Sequence, residues 1–128
     1  MKNLFKLFLN WAPRVLGILF ALFISLFALD VFSVQEPFLE QLLAFIIHLI
    51  PTVIVMGALF IASKNGVIGG VIFLLIGSAY IFQTRGAGWA IPLTFGGIPI
   101  LIGILFILNG WKQRMRYPPD ENHPEGEA

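Results

Sequence analysis

Cysteine is absent from the chain, which excludes disulfides, thiolate metal sites and cysteine nucleophiles together. Charge is scarce. Only 12% of the 128 residues are Asp, Glu, Lys or Arg, where soluble domains carry about 25%. No phosphate-binding glycine loop, nucleophile–base pair or cluster of metal ligands is visible, so neither an enzyme, a cofactor nor a metal site is expected. A net charge of +1 is uninformative by itself, and no nucleic-acid partner is expected.

What the chain has instead is apolar length: 58% of its residues are hydrophobic. Four apolar stretches, about 14–34, 39–63, 66–84 and 89–110, are each long enough to cross a bilayer, which takes roughly 20 residues of helix. A spanning segment must satisfy its own backbone hydrogen bonds, and four strands could not close into a barrel, so the stretches read as helices. The connections are short, which makes consecutive helices antiparallel neighbours. The expected fold is all-α: an integral membrane antiparallel four-helix bundle over 13–111.

The ends read differently. Lys2, Lys6 and Asn10 recur every four residues, with Leu4, Phe5, Phe8 and Trp11 covering much of the remaining surface. Residues 1–12 therefore read as an interfacial helix lying flat among headgroups, with Pro13 marking the turn into the first span. No small-x-small cleavage site follows the first apolar run, so the segment is expected to be retained. Residues 112–128 begin with Lys112, Arg114 and Arg116 and then turn proline-rich and acidic, the pattern of a disordered tail.

Counting Lys and Arg orients the chain. Lys2, Lys6, Arg14, Lys64, Lys112, Arg114 and Arg116 fall on one side of four crossings, and Arg85 alone on the other. The basic side is the cytoplasmic one, which places both termini in the cytoplasm.

Polar residues within the spans are the candidate site. Asp30 lies sixteen positions after Arg14, about 24 Å along a helix. That puts it just below the far boundary of a hydrocarbon core about 30 Å thick. A charge there needs a partner or water, and Arg85, Gln41, Gln83 and Tyr80 are at its level. His48 lies near mid-membrane and shares a helical face with Gln41, Ala44 and Thr52, so it is expected to point into the bundle, with Ser25 as a neighbour. Imidazole can shuttle protons near neutral pH, or it can simply hydrogen-bond a neighbouring carbonyl. The candidate polar set is Asp30, His48, Gln41 and Arg85. Its functional reading is a proton or ion site, and its plain reading is a set of helix-packing hydrogen bonds.

Small residues form stripes. Ser63, Gly70, Gly77 and Thr84 repeat every seven positions, as do Gly96, Gly103 and Gly110. Folded as a hairpin about 85–88, the third and fourth spans bring Gly70 opposite Gly103, Gly77 opposite Gly96 and Ser63 opposite Gly110. A seven-residue stripe stays on one face of a left-handed crossing, so these glycines read as helix packing.

The stretch RVLGILFALFISLFALDVF at 14–32, with HLIP at 48–51, GG at 69–70 and LIGILFILNGW near the end, resembles a family of uncharacterised small four-span bacterial inner-membrane proteins known only as a domain of unknown function. The resemblance implies a bacterial inner-membrane location, but carries over no activity, substrate or catalytic residue. The small multidrug transporters are similar only in size. Their pattern calls for a glutamate deep in the first helix, where this chain has Leu, Phe, Ile or Ser. The reading that follows is a non-enzymatic membrane protein that is structural or binds a partner. The lipid bilayer surrounds it, and the partner is a second copy or another membrane protein. The alternative is a small oligomeric proton-coupled transporter or channel using Asp30 and His48. A water-accessible cavity reaching both residues would discriminate between them.

Overall fold

The computed structural model describes residues 1–116; the expected disordered part of the tail lies outside the described residues. Four long helices account for nearly all of it. Helix α1 runs Lys2–Leu29 and ends in a single 3-10 turn, Asp30–Ser33. Helix α2 runs Phe38–Lys64 and α3 runs Gly66–Gln83. Helix α4 runs Ala90–Arg116 and contains a π-helical turn at Leu93–Gly97. All four are long and apolar enough to cross a membrane.

Local chemistry sets the boundaries. Val34 is extended, and Pro37, with no N–H to give, immediately precedes α2. Asn65 alone joins α2 to α3. Its backbone is extended, and its side chain accepts a hydrogen bond from the Ile68 amide at 3.3 Å, capping α3. The α3–α4 turn needs positive φ at Gly86 (129°) and Gly88 (79°), a region that side chains disfavour.

The N-terminal segment differs from expectation. Helix α1 is continuous from Lys2, with Pro13 inside it rather than at a turn. Pro13 is buried, whereas residues 1–8 are exposed, and Lys112 on α4 sits 5.7 Å from the centre of the Phe5 ring. The first turns of α1 thus run on past Pro13 beside the last turns of α4, with an open hollow between them. The basic cluster at Lys112–Arg116 likewise belongs to the last turns of α4, not to a tail.

Each helix packs on its two neighbours, so the helices form a ring in the order α1, α2, α3, α4. The closest pair is α3–α4. A Cβ added at Gly77 would lie 2.6 Å from the Gly96 carbonyl oxygen, so the backbones touch. Small residues allow this approach, and dispersion and Cα–H···O contacts reward it, because lipid gives helices no hydrophobic drive to associate. Ser63 does not oppose Gly110. The helix break at Asn65 leaves Ser63 on α2, and Gly66 meets Gly110 instead. The π turn lies beside Pro99, whose missing N–H and bulky ring do not fit a regular ladder.

The centre of the ring is closed. Phe73 stacks on Phe106 with centroids 6.0 Å apart, and Phe20, Ile24, Val55, Leu59 and Ile102 fill the space around them. At one end Phe23, Phe27, Tyr80 and Phe95 form an aromatic cluster.

Candidate functional site

Among the described residues, the antiparallel ring gathers the charges by sign. Seven of the eight Lys and Arg residues lie at the end formed by the start of α1 and the ends of α2 and α4. The opposite end holds Arg85 with Asp30, Glu36 and Glu40.

A groove of about 430 Å³ opens at the acidic end between the close of α1 and the start of α2. Asp30, Glu36, Glu40, Gln41 and His48 line it, with Phe27 as an apolar wall. Gln41 and His48 reach one groove because positions i and i+7 share a helical face. From Glu40 to His48 the groove descends about 12 Å along α2. Gln41 ties its mouth: Nε2 donates to the Val34 carbonyl at 2.7 Å, pinning the interhelical segment onto α2. Asp30 accepts a long 3.5 Å hydrogen bond from the Ser33 hydroxyl and is exposed. Three carboxyls thus surround the mouth, and one imidazole marks its depth.

His48 does not point into the bundle. Its side chain is exposed on the outer surface of α2, and Nδ1 lies 2.8 Å from the Ala44 carbonyl oxygen one turn earlier. Ser25, expected near His48, donates instead to the Ala21 carbonyl at 2.8 Å and lies 3.4 Å from the Thr52 hydroxyl. The polar stripe of α2 therefore divides: Thr52 faces α1 while His48 faces the groove. Helical spacing finds residues that share a face, but a face about 100° wide can meet both a neighbour and the membrane.

Arg85 is not part of this group. Its guanidinium stacks over Phe82 at 4.4 Å, and among the described residues it forms no ion pair with Asp30. Arg85 begins the α3–α4 turn, whereas the groove lies on the α1–α2 side. The expected pairing rested on matching depth, and depth says nothing of position around the ring.

The packing glycines are where the hairpin register puts them. Gly70 meets Gly103 and Gly77 meets Gly96, each glycine against the other's carbonyl. Among the described residues, no group of three or more His, Asp or Glu side chains is arranged to hold a metal ion.

Sequence reasoning missed a second hollow, at the basic end. It occupies about 690 Å³ between the first turns of α1 and the last turns of α4. The signal was present, since Lys2, Phe5, Lys6 and Leu9 follow helical spacing, as do Asn109, Lys112 and Arg116. It was hidden by reading 1–12 and 112–128 as separate from the bundle.

The family whose pattern matches residues 1–118 is described as a domain of unknown function (DUF7670). No curated protein and no solved structure matches the chain.

Proposed function

The chain belongs to the DUF7670 family, and from that premise we propose a non-enzymatic, multi-pass protein of the bacterial inner membrane that docks another membrane-spanning segment along its α1–α2 groove. Both ends of the described chain lie at the basic end, which in this reading is cytoplasmic, since Lys and Arg are retained on that side. The acidic groove then opens on the outer face. The docked segment belongs to a second copy or to another membrane protein.

The outward position of His48 carries the reading. It lies ten residues into α2, about 15 Å from the start of the helix and so deep in the hydrocarbon. One ring nitrogen meets Ala44; the other has no protein partner among the described residues. At this depth of the groove a ring nitrogen met by neither protein nor water is costly, and a polar residue on a helix docked in the groove would relieve the cost. A photo-crosslinking residue at Ile47, which is 61% exposed beside His48, should give adducts to a protein in native membranes. The same probe at Leu75, 64% exposed on α3, should give lipid adducts. Lipid adducts alone at both positions would remove the docking reading.

One observation favours the alternative, a proton-coupled oligomer: a single groove reaches both Asp30 and His48. Within one chain the groove stops at the closed core, so a pathway would have to form between copies. Proteoliposomes loaded with a pH-sensitive dye test it: proton flux that His48→Ala abolishes, with the helical fold intact, selects this alternative.

A further inference from the structure

We infer that the hollow at the basic end is a binding site for an anionic phospholipid, with the phosphate held between α1 and α4 and the acyl chains running down onto the bundle. Lys2 and Lys6 line it from α1, and Lys112 and Arg116 from α4. Beneath them Phe5 and Leu9 present apolar surface, and Asn109, only 8% exposed, sits at the base. Phosphate-binding cations above an apolar wall match an amphiphile, not a free ion.

Depth supports this occupant. Arg14 donates a hydrogen bond to the Ser63 carbonyl beside the α2–α3 turn, and the Lys and Arg count places that turn at the cytoplasmic edge of the hydrocarbon. Leu9 lies about 7.5 Å and Lys6 about 12 Å beyond Arg14 along α1, so the hollow opens on the headgroup side of that edge and its base faces the acyl chains below. Helix α1 and its 3-10 turn together cover 32 residues, about 48 Å, longer than the hydrocarbon alone requires. Four cations of one sign crowded in one hollow repel each other, and among the described residues no carboxylate lines it. Juxtamembrane cations attract anionic lipid with about fivefold in affinity per charge. A lipid carrying two phosphates fits four cations best.

The test uses the full chain, purified in a non-ionic detergent and titrated with cardiolipin, phosphatidylglycerol or phosphatidylcholine, with bound lipid read by native mass spectrometry. Cardiolipin should bind more than about tenfold tighter than phosphatidylcholine. The variant Lys6→Gln with Lys112→Gln should lose about 25-fold in cardiolipin affinity, and Lys6→Arg with Lys112→Arg should retain it. Lys64→Gln, at the same end but stacked on Phe60 outside the hollow, should change nothing, which separates the site from general attraction to a basic end. Unchanged circular dichroism verifies that each variant is folded; if the glutamine pair misfolds, the single variants Lys6→Gln and Lys112→Gln, each expected to lose about fivefold, read the same charges. Equal binding of cardiolipin and phosphatidylcholine overturns the proposal, as does an equal loss in Lys64→Gln. Complete displacement by inorganic pyrophosphate also overturns it, because the site would then take a soluble anion.

Discussion

Gly70 and Gly103 press on each other's backbone: a Cβ added to either would lie 2.6 Å from the other's carbonyl oxygen. No rotamer change relieves such a clash, because the atom struck is backbone. Gly70→Ala should therefore destabilise the bundle by about 1–3 kcal/mol, the usual cost of overpacking, and Gly70→Leu should disrupt it outright. Gly57, where an added Cβ meets nothing within 4 Å, is the control. Gly57→Ala should be neutral or slightly stabilising, since alanine is the better helix former. Thermal unfolding in detergent measures both, and equal losses would contradict the close α3–α4 contact.

Asp30 and Arg85 should behave independently. Arg85 stacks on Phe82 and Asp30 bonds Ser33, so the two share no partner. In a double-mutant cycle, Asp30→Asn and Arg85→Gln should add within about 0.5 kcal/mol. A coupling well above that value would mean that the two residues do pair.

Gln41 and His48 should separate by readout. Gln41→Ala removes the 2.7 Å bond to the Val34 carbonyl and should cost about 1 kcal/mol of stability. His48→Ala should leave the isolated fold nearly unchanged, because the ring is exposed, while weakening the crosslink at Ile47 in native membranes. Loss of the folded monomer in His48→Ala would assign the histidine to the bundle itself.

The membrane orientation is tested by reporters. A fusion after Arg116 should report a cytoplasmic location, and an insertion at Gly86 an exported one. A periplasmic reading after Arg116 would reverse the proposed topology and place the acidic groove inside the cell.

The number and type of the helices were legible in the sequence, because bilayer thickness and backbone hydrogen bonding leave one structure for four apolar runs of this length. The sign of each end followed from connections too short for anything but antiparallel neighbours. The register of Gly70 with Gly103 was legible as well, since one tight turn and two equal seven-residue repeats leave few ways to align two helices. Position around each helix axis was decided only by the tertiary structure. Whether His48 faced core or lipid depended on how far α2 was rotated against α1, and Leu59 seated over Gly17 is a contact between residues 42 positions apart. Whether Arg85 met Asp30 depended on the order of helices around the ring, which depth along the membrane does not encode. Pro13 could have turned the chain into the interface or remained within α1; its burial inside a continuous helix sets the first turns beside the end of α4 and opens the basic hollow that neither terminal segment suggested alone.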